Sequence, residues 1–300
     1  MIRFLVFVVV YALAVIALPR SAFFSGIMQD LARLPPTTAL MINLASVLVG
    51  AGILFLISRK PNGWMYTRPS GLLDIFRMGL VGSLFAGFFD LFQGVSGRSM
   101  EVSSLPVIVP AFMLAEAVYV AGSWILRRAA GTAPASSPTP QEARADAETD
   151  ENGNLLRLMI TVPIYVLVIL FLPRQEDFRR LEANLVNIDP VMGAVWSGVG
   201  LAVAIGLGLY IISNSRTTRV PDASDAAAVA KAVDFTMVKM RVYLSICFGL
   251  AFAALLNLVG FLISYAPAVI YMILIPVGTF TAELVYQTIY WRMKYGPPEI

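Results

Sequence analysis

Eight stretches of mostly apolar residues, separated by charged or turn-forming segments, constrain this chain more than any other feature of its sequence. They cover residues 4–18, 37–57, 71–95, 105–126, 155–172, 191–212, 242–265 and 268–290. A helix needs ~20 such residues to cross the hydrocarbon core of a bilayer. Hydrophobic residues make up 58% of the chain and charged residues 14%, which is about half the charged share of a soluble domain. We therefore predict an all-α integral membrane protein with eight transmembrane helices, surrounded mainly by lipid.

The residue types that the sequence lacks exclude several classes of function. The chain has no histidine and one cysteine, Cys247, inside an apolar stretch. This excludes Cys/His zinc sites, histidine-ligated haem and Ser-His-Asp or Cys-His catalysis. The sequence contains no nucleotide-binding, metalloprotease or serine-hydrolase motif, and the net charge of +3 is too small to indicate nucleic-acid binding. We expect no metal, no cofactor, no nucleic-acid partner and no enzymatic activity.

A polar segment divides the chain near its midpoint. Residues 129–154 are rich in Ala, Pro, Ser, Thr and acidic residues and have no apolar periodicity. Such a segment buries too little apolar surface to offset the entropy that it would lose on ordering. We predict a first four-helix domain at 1–128, a flexible cytoplasmic linker at 129–154 and a second four-helix domain at 155–300.

The two predicted domains resemble each other in sequence. Leu18-Pro19-Arg20 recurs 154 residues later as Leu172-Pro173-Arg174. An offset of 167 residues aligns further pairs, which are Phe85 with Phe252, Ala86 with Ala253, Leu91 with Leu258, Ile108 with Ile275, Glu116 with Glu283, Tyr119 with Tyr286 and Trp124 with Trp291. The sequence therefore predicts an internal duplication. Because each domain has an even number of spans, we expect two parallel repeats related by a pseudo-twofold axis along the membrane normal.

The distribution of Lys and Arg predicts the orientation in the membrane. Sixteen of the 22 basic residues lie near the N-terminus, the second loop, the linker, the sixth loop or the C-terminus. The other six, in the odd-numbered loops, are Arg20, Arg33, Arg98, Arg174, Arg179 and Arg180. Cytoplasmic loops carry the excess of Lys and Arg in membrane proteins. We predict a multi-pass protein of the inner (plasma) membrane with both termini and the linker in the cytoplasm.

Three shorter segments are predicted to form helices outside the hydrocarbon core. Residues 21–33 and 175–187 mix charges with Phe, Leu and Val, which is typical of interfacial helices; both follow a predicted span on the outer side. Residues 223–239 follow Pro221-Asp222 and are rich in Ala. They favour a cytoplasmic helix that leads into the seventh span.

Four polar side chains lie where apolar contacts are expected: Asp90, Glu116, Asn257 and Glu283. Glu116 precedes Arg127 by 11 residues and Glu283 precedes Arg292 by nine, so both carboxyl groups lie on the order of 15 Å inside the cytoplasmic boundary. Asp90 is nearer the outer side. Asn257 aligns with Asp90, so that position needs polarity in both domains and a charge in at most one. No Lys or Arg is expected in the core of a span to neutralise these carboxylates.

An isolated carboxylate in hydrocarbon is costly, and three interpretations explain why the two glutamates are there. In the first, they bind a proton or cation or face a water-filled cavity. In the second, they hydrogen-bond neighbouring helices and only stabilise packing. In the third, each pairs with a basic residue of a partner subunit.

The leading functional hypothesis is a transporter or channel-like carrier for a small solute. Its candidate site residues, which could couple it to protons or cations, are Glu116, Glu283, Asp90 and Asn257. The alternative is a non-catalytic subunit or assembly component of a larger inner-membrane complex, whose partner proteins would contact the same carboxylates. Short loops and the absence of a large soluble domain fit both hypotheses.

Overall fold

The computed structural model of the chain describes residues 2–58, 71–95, 102, 104–129, 157–186, 188–216, 226–263 and 269–296. The predicted linker lies outside the described residues except for Ala129. Every regular element in the described residues is a helix. The α-helices are α1 (Ile2–Ala17), α2 (Ala22–Ala32), α3 (Pro36–Ser58), α4 (Gly71–Val95), α5 (Leu105–Ala129), α6 (157–171), α7 (Glu176–Val186), α8 (Pro190–Arg216), α9 (Ala226–Leu262) and α10 (Tyr271–Tyr295).

The described helices make the chain a multi-pass membrane protein by their length and composition. Seven of them are long and apolar enough to cross a membrane. The count reaches eight if α1 and α2, which are bent by 73° at their junction, are taken as one broken span. The predicted number of eight thus depends on whether α1 and α2 together form one span.

A short proline turn follows both α1 and α6. Leu18–Arg20 and Leu172–Arg174 are single turns of 3₁₀ helix with the proline near the start, where its missing N–H removes no helical hydrogen bond. The next residue, Ser21 or Gln175, is extended and donates its backbone N–H to the carbonyl of Leu18 or Leu172 at 3.1 Å. Each turn leads directly into an 11-residue helix. The two short helices predicted from the sequence are therefore confirmed as α2 and α7.

The contacts group the chain into two compact units, Met1–Val166 and Leu167–Ile300, so that residues 157–166 of α6 belong to unit 1. In unit 1, α5 packs against α1 and α4, and α4 packs against α3. Leu84 is fully buried in a cluster with Val47, Leu54 and Leu80. Leu158 and Met159 of α6 pack on that cluster.

In unit 2, α9 packs against both α8 and α10. Ile270 and Leu274, at the start of α10, form a cluster with Phe178 of α7, and Ile169 and Leu172 pack against it. Among the described helices the longest is α9, with 37 residues. It confirms that the helix predicted before the seventh span continues into that span. At roughly 55 Å it is far longer than a bilayer core requires.

The N-terminal part of α9 is joined to the end of α10 by polar and aromatic contacts. The Asp234 carboxylate accepts hydrogen bonds from the Lys294 ammonium and the Tyr295 hydroxyl. The ring of Phe235 meets Trp291 edge-on with centroids 5.5 Å apart. This contact between the two ends comes from residues about sixty positions apart in the sequence.

Candidate functional site

Glu283 and Gln287 form a buried polar pair on α10. Their residues are 3% and 2% exposed, and the Gln287 Nε2 donates to Glu283 Oε1 at 2.7 Å. The four-residue spacing brings the two side chains together because positions i and i+4 share one face of a helix. Gln287 Oε1 is buried and accepts no hydrogen bond from the described part of the chain. The pair therefore places a carboxyl group beside an amide oxygen in the interior of unit 2.

Glu116 occupies the aligned position on α5 and is 1% exposed. Ala115 and Ala111 on the same helix are fully buried, so this stretch of α5 faces the interior of unit 1. The position four residues later holds Val120. Unit 1 thus has a buried carboxyl group at the aligned position, as unit 2 does, but it has no amide side chain one turn further along.

Asp90 has an identifiable structural partner. Its residue is 1% exposed, and its Oδ2 accepts a hydrogen bond from the backbone N–H of Ser104 at 3.1 Å. Ser104 immediately precedes α5, and its carbonyl accepts from Val107 and Ile108. The Asp90 carboxylate therefore fixes the start of α5, where the helix dipole also favours a negative charge. Asn257, its aligned residue on α9, is 3% exposed.

The structure does not gather the candidates of unit 1 at one place. Gly82 of α4 lies against α5, where an added methyl group would be 3.2 Å from Phe112 Cβ and 3.3 Å from Val109 Cα. Asp90, two turns along α4, correspondingly reaches Ser104. Glu116 lies twelve residues further along α5, which is roughly 18 Å at the rise of an α-helix. Asp90 and Glu116 therefore do not share a site.

The same separation holds in unit 2. A methyl group on Gly249 of α9 would be 2.8 Å from Pro276 Cα and would contact Thr279 Oγ1, and Thr279 Oγ1 also donates to the carbonyl of Ser245 at 2.9 Å. This register places Glu283 level with α9 residues near 242. Asn257 lies about fifteen residues further along α9, roughly 22 Å away. Within each unit, then, the glutamate and the Asp or Asn are at different depths.

Arginines reach the depth of both glutamates, contrary to the expectation from the sequence. Gly79 of α4 faces Met113, so Glu116 is level with α4 residues near 77. Arg77 is half-buried there. Arg241, on α9 at the level of Glu283, is exposed. The long stem of an arginine lets its charge extend toward an interface, which explains how such residues lie within helices that are otherwise apolar.

Several buried polar residues were missed from the sequence. Asn43 of α3 and Ser197 of α8 are both fully buried, and they are separated by the same 154 residues as the two proline turns. Ser46 of α3 and Ser83 of α4 approach with hydroxyl oxygens 2.6 Å apart. Hydroxyl and amide groups of this kind hold membrane helices together, so we assign them to packing.

Two aligned tyrosines were also missed. Tyr11 of α1 and Tyr165 of α6 share the 154-residue offset, and both lie in unit 1. Tyr11 meets Phe112 edge-on at 5.2 Å between centroids, and Tyr165 lies 5.9 Å from Phe85. Extending the offset of the proline turn back along α1 would have found them.

Comparison with known proteins gives no match: no family model, curated protein or solved structure is similar to this chain.

Proposed function

We propose that the chain is a small-solute carrier or channel-like transporter whose activity is coupled to a proton or cation at Glu116 and Glu283. The observation that carries this proposal is the burial of both carboxyl groups, at 1% and 3% exposure, within apolar helices. Carboxyl groups are rare inside membrane-spanning helices and usually mark a proton or ion pathway. A chain that places one in each half needs a reason stronger than packing, since Ala or Ser would pack as well.

The proposal includes the internal duplication. Several observations support it besides the sequence offsets. Both units have a proline turn followed by an 11-residue helix. The same aligned positions are buried, and these are Ala86 and Ala253, Ile108 and Ile275, Ala115 and Ala282, and Glu116 and Glu283. Gly82 and Gly249, also aligned, each face the next helix at contact distance.

Duplicated membrane transporters use equivalent positions of their repeats for binding. The two glutamates hold such equivalent positions, whereas Asp90 has a structural partner and Asn257 carries no charge. We therefore restrict the ion-handling role to Glu116 and Glu283.

The test is to replace each glutamate by glutamine, singly and together. Glutamine keeps the size and a hydrogen-bond acceptor but cannot release a proton or carry charge. Purified protein would be reconstituted into vesicles containing a pH-sensitive dye, with imposed gradients of Na⁺, of K⁺ and of a panel of small organic acids, amines and sugars. We expect wild-type protein to change the internal pH with at least one gradient, and Glu116→Gln/Glu283→Gln to abolish that change while thermal stability stays close to wild type.

The matched control is Glu176→Gln, because the Glu176 side chain is 72% exposed in a surface pair with Arg180. It should leave the flux unchanged. Full flux in the double variant would disprove the ion-handling role. The wild-type protein could instead give no pH change with any gradient and co-purify with another membrane protein. Loss of that protein when either glutamate is replaced would establish the role of a complex subunit.

A further inference from the structure

We infer that Glu283 and Gln287 form a binding site for one small monovalent cation, a proton or an alkali-metal ion, held between the carboxyl group and the amide oxygen. This inference rests on the proposed ion-handling role of the buried glutamates. It adds that the site is built in the second half only and that Gln287 is part of it.

A positive species would complete the hydrogen bonding of the pair. A glutamine amide has two N–H donors and one oxygen that accepts. Here the Nε2 donates to Glu283 Oε1 at 2.7 Å, and the buried Oε1 finds no donor among the described residues. A buried acceptor without a donor costs about 1–3 kcal/mol. A proton on the carboxyl group would donate to this oxygen and complete a two-bond pairing of acid and amide.

The opposite orientation of the amide leads to the same conclusion. With its nitrogen and oxygen exchanged, two oxygens would lie 2.7 Å apart, and only a shared proton or a bridging cation would make that contact favourable. Alkali cations in membrane proteins are held by carbonyl oxygens, and the amide oxygen of Gln287 is a ligand of that kind. The two occupants thus share one chemistry, a single positive charge between two oxygens.

The other ionisable groups near this level of unit 2 lie on α9 and α10. On α9, the one helix that packs extensively on α10, the ionisable residues near Glu283 are Lys239, Arg241 and Tyr243, and all three are exposed. On α10 itself, Tyr286 is buried and stacks on Tyr290. Asp234 is bound by Lys294 and Tyr295 near the end of α10. The proposed site is built on the buried and bonded pair of Glu283 and Gln287.

The first half provides a natural comparison. Glu116 has the same burial, but Val120 stands where Gln287 stands in the second half. If the amide oxygen is a ligand, the two carboxyl groups should differ in their response to pH and to cations.

The experiment is infrared difference spectroscopy of the full chain in lipid nanodiscs during a pH titration, in buffers of N-methylglucamine, Na⁺ or K⁺. In N-methylglucamine we expect a carboxylic-acid C=O band that is lost in Glu283→Gln and kept in Glu116→Gln. In Gln287→Val the band should move to higher wavenumber, because the acid proton loses its acceptor. Loss of the band on adding Na⁺ or K⁺ at constant pH would identify an alkali cation as occupant, and an unchanged band would identify a proton.

The control variant is Thr288→Val, one residue away, whose exposed hydroxyl bonds only the carbonyl of Leu284; it should leave the band in place. If Gln287→Val does not fold, Gln287→Met removes the amide from an unbranched side chain and tests the same point. Identical spectra for wild type and Glu283→Gln, or an unshifted band in a folded Gln287 variant, would overturn the inference. Because the spectra report binding in the isolated chain, they distinguish a missing site from a chain that binds the ion and transports nothing.

Discussion

Asp90 and Asn257 show, at the scale of single residues, which property of a buried side chain the fold requires. Asp90 accepts the Ser104 N–H, and an asparagine oxygen accepts equally well. We predict that Asp90→Asn keeps the stability of the protein, whereas Asp90→Ala lowers it by about 1–3 kcal/mol because a partly buried N–H loses its acceptor. Thermal unfolding in detergent would measure both. An Asp90→Asn variant as unstable as Asp90→Ala would show that the charge itself is required.

The sequence predicts which charged side chains are buried better than it predicts which neutral polar side chains are buried. Asp90, Glu116 and Glu283 stand out because charges are rare in apolar stretches, and all three are buried. Gln287 does not stand out in the sequence, because it carries no charge and its aligned residue is Val120. Its place one turn after Glu283 is legible in the sequence, but only the structure shows that both side chains are buried and bonded. Packing among helices decides which face is interior, and that information is not local.

At the scale of helices, the contact between α9 and α10 is the one most open to measurement. The Asp234 and Lys294 side chains are 31% and 43% exposed, so their ion pair is partly screened by solvent. We predict that Asp234→Ala costs on the order of 1 kcal/mol, since Lys294 and Tyr295 both lose an acceptor. Hydrogen exchange should become faster in the first turns of α9. The exposed pair of Glu176 and Arg180 is the contrast, and Glu176→Ala should change stability by less than about 0.5 kcal/mol. Equal effects of the two substitutions would contradict this assignment.

The length of the apolar stretches predicts where the helices lie, but it does not predict where each helix begins and ends. The span at 71–95 was predicted with the same bounds as α4, while the predicted start of the seventh span, at 242, falls inside α9. The apolar stretch marks what lipid can surround, and a helix continues wherever backbone propensity and contacts such as Asp234 with Lys294 support it. At its other boundary, α1 ends at Ala17 because a 3₁₀ turn that contains Pro19 begins at Leu18.

For the whole molecule, orientation is the prediction that most needs a direct test. Replacing Cys247 by Ser would give a background without cysteine, into which single cysteines are introduced at exposed positions. We predict that Arg179→Cys and Phe23→Cys react with an impermeant maleimide in intact cells, and that Met293→Cys reacts only after permeabilisation. The expectation follows from the bias of Lys and Arg toward one set of loops. Reaction of Met293→Cys in intact cells would place the C-terminus outside and refute it.

The two places where α9 and α10 are joined have a mechanical consequence. Near the middle of α9, Gly249 packs directly against Pro276, and the Thr279 hydroxyl donates to the carbonyl of Ser245. Near the start of α9, Asp234 is bonded to Lys294 and Tyr295 at the end of α10. Contacts at two separate points restrict both sliding of the two helices along each other and separation of their ends. We therefore expect α9 and α10 to move as one rigid pair. Glu283 lies on α10 between these attachments, so it can change the solvent it meets only when both helices tilt together. The N-terminal part of α9 would then move in proportion to that tilt.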